Sequence, residues 1–99
     1  MTIASLATIL NQARQNNQAI AGLVVLGWED ITAFIAAAEA ENMPVILQAG
    51  PGCRAHTPIP VLGAMFRYAA ERASVPIVCH LDHGYEIQEI EEAIQSGFS

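Results

Sequence analysis

Pro76-Ile77-Val78-Cys79-His80-Leu81-Asp82-His83-Gly84 begins as an apolar run and ends as the densest group of chemistry-bearing side chains in the chain. Residues 77–81 have strand length and show no polar alternation, the pattern of a parallel strand covered on both faces. Two upstream runs read the same way. Residues 19–26, with Val24 and Val25, predict a fully buried strand, and residues 45–47 predict another, closed by Gly50-Pro51-Gly52 as a tight turn.

Helical spacing separates these runs. Leu6, Ile9, Leu10 and Ala13 share one face of a helix over residues 5–16, which the polar run 11–18 ends. Glu29 and Asp30 suit the first turn of a second helix, residues 30–41, whose inner face is Ile31, Phe34, Ile35 and Ala38. Asn42 and Pro44 stop it. A loop then runs to Pro58 and Pro60, the latter acceptable only near a helix start, and Leu62, Met65, Phe66, Ala69 and Ala73 mark a third helix. Tyr85 begins a last one, carrying Ile87, Ile90, Ala93 and Ile94, with Gly97 placed to cap it.

The order is a leading helix followed by three βα units, an α/β arrangement that fits a barrel or an open doubly wound sheet equally well. Three strands cannot close a barrel, and an eight-unit barrel takes roughly 250 residues. Residues 1–99 are therefore expected to form one incomplete domain.

Charge narrows the partners. Ten acidic residues against four basic ones give a net charge of −6, and Arg14, Arg54, Arg67 and Arg72 are scattered. Nucleic acid is excluded as a partner on that ground. A small phosphorylated metabolite is not, because backbone amides at helix N-termini hold phosphate without a basic surface. No apolar run approaches 18 residues and the first six lack a basic leader, so no membrane association and a cytoplasmic, reducing setting are expected, with Cys53 and Cys79 as free thiols.

Strand alternation puts His80 and Asp82 on one face and Leu81 and His83 on the other, though a bend at the strand end lets Asp82 and His83 reach one site. Gly84 leaves room for close approach. Imidazole suits zinc, and a carboxylate beside it can ligate, orient or act as general base. One His and one Asp fall short of the three or four protein ligands of a zinc site. The structural alternative, with His80 a buried, hydrogen-bonded strand residue and Asp82 a helix cap, stays open on the residues alone.

Residues 74–84, ending in His80-Leu81-Asp82-His83-Gly84, strongly resemble the signature of the class II, zinc-dependent ketose-bisphosphate aldolases, which include the fructose- and tagatose-bisphosphate enzymes. Ala37-Ala38-Glu39 with Pro44-Val45-Ile46-Leu47-Gln48, Ala69-Ala70-Glu71-Arg72-Ala73 and residues 93–99 resemble further family stretches, in order along nearly the whole chain. The resemblance implies the N-terminal part of a TIM (β/α)8 barrel. It implies His83 as the first zinc ligand and Asp82 as the acid/base that exchanges a proton with a substrate hydroxyl. It implies two more ligating histidines beyond Ser99, a ketose bisphosphate split into dihydroxyacetone phosphate and an aldehyde, and a homo-oligomeric full-length protein. His80 would support the site without binding metal.

Two positions depart from the family pattern. Val24 stands where the family commonly has Asn after the first strand, and Ala49-Gly50 follow Gln48 where it often has a substrate-facing Ser. Losing two hydrogen-bonding groups alters or weakens substrate recognition. A non-catalytic aldolase-like scaffold or partner subunit, or an unrelated small α/β binding domain, are the competing readings. His56 reads as a surface-loop residue, Cys79 as apolar filler, Trp28 and Tyr85 as packing residues, and Glu86, Glu89, Glu91 and Glu92 as a solvated helix face.

Overall fold

The computed structural model describes residues 3–99. Three parallel strands, β1 (Gly22–Val25), β2 (Val45–Ala49) and β3 (Ile77–Leu81), form a sheet in the order β1-β2-β3. Register is continuous across it: Gly22, Ile46 and Val78 make one row, and Val24, Gln48 and His80 the next. A leading helix α1 (Leu6–Gln15) precedes β1, α2 (Trp28–Ala40) joins β1 to β2, and α5 (Ile87–Gln95) follows β3. The α/β order read from the sequence is the order found.

The connection from β2 to β3 differs from the expected loop. Residues 51–56 form a short helix, α3 (Pro51–His56), before α4 (Ile59–Arg72). Gly50 is its N-cap and Pro51 lies in its first turn, so Gly50-Pro51-Gly52 opens a helix and is not a free-standing turn. Pro60 likewise falls in the first turn of α4, after Pro58 at the cap. The last helix begins at Ile87 and not at Tyr85.

Helix ends follow local chemistry. The Ser5 hydroxyl accepts from the Thr8 amide at 3.2 Å and caps α1. The helices α1, α2 and α5 run into Asn17, Asn42 and Gly97, all at positive φ. In each, paired amides close back on the last turn: Gln18 to Ala13, Met43 to Ala38 and Phe98 to Ala93, all at 2.9 Å. This is the left-handed C-terminal cap that glycine and asparagine adopt most readily. Gly97 thus does what its position suggested.

The two faces of the sheet are covered differently. Val25, Val45, Leu47, Ala49, Ile77 and Cys79 belong to the main core with Ile31 and Ile35 of α2, Leu62, Phe66 and Ala70 of α4, and Ala93 of α5. Phe66 meets Phe98 edge-on at 5.4 Å, which ties the chain after α5 to α4. On the opposite face Ile9 of α1 packs on Ile46 and Val78. That cover stops halfway along the strands. Only Val25 of β1 is buried, and Val24 is 53% exposed, so the expected fully buried first strand is an edge strand with one open face. Ile87, Ile90 and Ile94 of α5 are also exposed, leaving Ala93 as that helix's buried residue.

Gly63 sets the approach of α4 to α5: a Cβ there would overlap the Ser96 carbonyl oxygen. In a helix interior, Gly→Ala ordinarily gains about 1 kcal/mol. Gly63→Ala is expected to lose about 1–3 kcal/mol instead, the usual range for overpacking. Urea unfolding measures this, and a raised midpoint would contradict the close approach.

Candidate active site

The open half of the inner face leads to the C-terminal ends of β2 and β3, where loops converge in parallel α/β folds. Gln48 leans over Gly22, in line with its place in the row Val24, Gln48, His80. Asp82 continues that face, its Oδ2 3.8 Å from where a Gly50 side chain would begin. Its amide donates to Ala49 O at 3.1 Å, so the β2–β3 ladder reaches one residue past the strand.

His83 breaks the alternation. It has φ +57, and a non-glycine residue adopts that left-handed conformation at some cost. The turn brings the imidazole Nε2 to 3.7 Å from Asp82 Oδ2, although the two residues alternate along the chain. His83 is 65% exposed at its side chain and Asp82 23%, an accessible imidazole beside a half-buried carboxylate. Asp82 and His83 are thus the pair the structure brings together.

His80 is half-buried on the inner face, and among the described residues its Nδ1 has no hydrogen-bond partner. The hydrogen-bonded strand histidine of the structural alternative is not what is seen. Nor is Asp82 a helix cap, since Glu86 holds that position for α5 without a side-chain capping bond. Gly84 makes room for Leu81 and Ile90, each within 3.1 Å of an added Cβ. Its role there is packing.

The remaining residues fall as follows. His56 ends α3, exposed, with Nδ1 2.8 Å from Thr57 Oγ1, so it is helical and not in a loop. Cys79 is buried on the helix-covered face, and burial pushes its thiol up to about 12, which keeps it a neutral filler. Cys53 is also buried and free. Trp28 meets Tyr68 at 6.0 Å on the surface, where both rings are exposed. Tyr85 does not pack into a core; it is 74% exposed with its ring stacked beside that of His83 at 6.4 Å.

Arg54 and Glu89 enter the site in a way the sequence does not show. Arg54 lies in α3 with its side chain only 4% exposed. Its Nε donates to Glu89 Oε1 at 2.7 Å, Nη1 to Ala49 O at 2.5 Å and Asp82 O at 2.6 Å, and Nη2 to His83 O at 2.9 Å. Glu89 therefore leaves the solvated acidic face it was assigned to. The partners stand 28 to 35 residues away for all but Ala49, beyond any local pattern. The available signal was isolation: Arg54 is the only basic residue between Arg14 and Arg67.

Among the described residues, no group of three or more His, Cys, Asp or Glu is placed to hold a metal ion. The pair fits one corner of a zinc site, an exposed imidazole with a carboxylate beside it, and does not complete one. No described helix is long and apolar enough to cross a membrane.

The Arg54 hydrogen bond holds the Glu89 carboxyl below its ordinary value, against a smaller opposing effect of burial. A carboxylate depressed in the folded state adds stability above its unfolded pKa and loses it as pH falls through the folded one. Stability is expected to drop on acidification below about pH 4.3, the ordinary glutamate value. Glu89→Gln should flatten that part of the profile, read from urea midpoints between pH 3 and 7. An unchanged slope would show that the ion pair contributes nothing there.

The family model of fructose-bisphosphate aldolase class-II matches residues 4–99. The plasmid fructose-bisphosphate aldolase of Cupriavidus necator is 36% identical over 100 residues, covering all of this chain and 29% of its own length. The fructose-bisphosphate aldolase of Xanthobacter flavus is 33% identical over 100 residues, with 28% of its length covered. The YdjI aldolase of Escherichia coli K12 superposes with a TM-score of 0.89 at 31% identity, over 97% of this chain and 38% of that one. The chain thus spans about three-tenths of the curated relatives it matches.

Proposed function

This chain belongs to the class-II fructose-bisphosphate aldolase family, and from that membership we propose that it carries the Asp82–His83 corner of a metal-dependent ketose-bisphosphate aldolase site. The domain is then part of a TIM barrel, and the remaining ligands come from segments outside residues 1–99. The reading rests on one observation: the left-handed turn at His83 sets its Nε2 3.7 Å from Asp82 Oδ2 at the C-terminal edge of the sheet. The open inner face and the exposed Ile87, Ile90 and Ile94 also suit a sheet that further βα units extend.

His83 would ligate through its exposed ring. Zinc, when bound, supplies a Lewis acid for a ketose carbonyl. Asp82 Oδ2 would take the proton of the substrate hydroxyl as the carbon–carbon bond breaks to dihydroxyacetone phosphate and an aldehyde, and return it in condensation. Its half-burial keeps the carboxylate on the inner face and limits competing water. The substrate is a small phosphorylated sugar, and the setting is cytoplasmic, in a longer homo-oligomeric protein.

A second reading has an observation of its own. Val24 faces the open row where a hydrogen-bonding group would be useful, and Ala49 and Gly50 add no hydroxyl. An aldolase-like partner that binds metal without cleaving sugar fits that apolar lining.

Equilibrium dialysis against micromolar Zn2+ separates these ideas. The 99-residue chain is expected to retain well under one zinc and to cleave no fructose 1,6-bisphosphate. In a longer protein carrying this segment, His83→Ala should lose its zinc, whereas Asp82→Ala should keep it and lower kcat by 100-fold or more, the lower range for a lost acid–base group being about 10²-fold. Equal zinc in wild type and His83→Ala removes the ligand assignment. Zinc retention with no cleavage in the wild type favours the second reading.

A further inference from the structure

Arg54 has no part in the chemistry set out above, yet the Asp82–His83 turn is built around it. A guanidinium with a side chain 4% exposed is costly unless its donors are matched. Here they meet Ala49 O, Asp82 O, His83 O and Glu89 Oε1, all between 2.5 and 2.9 Å. Glu89 Oε2 in turn accepts from the Tyr85 amide at 3.3 Å. Ala49 O accepts the Asp82 amide as well as Arg54, so the end of β2 is tied to the same point.

The consequence concerns a strained residue. His83 sits at φ +57 between two carbonyls, its own and that of Asp82, which both point at the guanidinium. Turning His83 back to extended backbone would swing its carbonyl away and leave a buried charge short of a partner. The left-handed conformation is what directs the ring toward Asp82. We propose that Arg54 is a positioning residue: its planar fork, anchored by Glu89, holds the Asp82–His83 turn and thereby the bearing of the imidazole. The proposal depends on the reading of Asp82 and His83 as the site pair. Charge alone does not suffice for the role, because a lysine ammonium places its donors at one point and cannot span three carbonyls and a carboxylate.

Arg54→Lys and Glu89→Gln in this chain test it, by amide exchange and by titration of the His83 ring with Zn2+ alone, both followed by NMR. With Arg54→Lys, the Asp82 and Tyr85 amides should exchange at least tenfold faster. The amides of Val45 and Ile46, bonded to Pro76 and Ala21 at the opposite end of the sheet, should change less than twofold. The Zn2+ concentration that half-shifts the His83 ring should rise at least threefold. Glu89→Gln, which keeps the guanidinium and serves if Arg54→Lys does not fold, should move the same readouts in the same direction by a smaller factor. Uniform acceleration of all four amides, or an unchanged Zn2+ titration of His83 in both variants, overturns the positioning role. A parent chain whose His83 ring does not shift even in millimolar Zn2+, enough for a lone exposed imidazole to bind, overturns the metal reading instead. In that case the local acceleration of Asp82 and Tyr85 still decides whether Arg54 holds the turn.

Discussion

A parallel sheet must be covered on both faces, and this one is covered unequally along its length. The outer face packs against α2 and α4, and Val25, Val45, Leu47, Ala49, Ile77 and Cys79 on it are buried. The inner face is sealed only where Ile9 of α1 meets Ile46 and Val78. One row further along the strands, Val24, Gln48 and His80 have no such lid, and one row beyond that comes Asp82. Burial therefore falls toward the C-terminal edge just as polarity rises, and the candidate site is the polar end of a surface whose other end is core. The placement of α1 fixes that boundary. Asp82 and His83 stay reachable because the helix stops short.

Much of this was legible in order and spacing. Apolar runs at residues 45–47 and 77–81 stand out because β2 and most of β3 are buried on both sides. The residues 19–26 gave a similar pattern for a different reason: alanines and glycine are apolar in composition whether or not anything covers them, and β1 is an exposed edge. The helix α3 is not legible in the sequence, because a glycine and a proline in six residues leave little helical propensity. It is six residues long and has one buried apolar side chain, Cys53, too short for any period to show.

The pair Asp82–His83 was legible as a pair, but its geometry was not. Alternation alone separates the two residues onto opposite faces. What overrides it is the positive φ at His83. The forces that favour it come from Arg54, some 29 residues earlier in the chain, and from Glu89, which resembles its acidic neighbours until its partner is known. A single arginine amid an acidic chain tells little about where its five donors go. Only the folded register of β2 against β3 sets Ala49 O and Asp82 O within reach of one guanidinium.

The rows of the inner face also bear on specificity. In the row beside the site, β2 contributes the Gln48 amide and β3 the His80 imidazole, whereas β1 contributes the isopropyl group of Val24. In the preceding row Gly22 has no side chain and is overlain by Gln48. Any hydroxyl-rich molecule held against this face must then find its hydrogen bonds on β2, β3 and their loops, with an apolar wall toward β1. A wall of that kind offers a hydroxyl no partner, and an unmatched hydroxyl there loses water without gaining a hydrogen bond. The His80 Nδ1, buried and without a partner among the described residues, is by the same logic a polar atom of this face that still requires a match. Polar demand lies on β3 and apolar tolerance on β1. The face is asymmetric across its three strands.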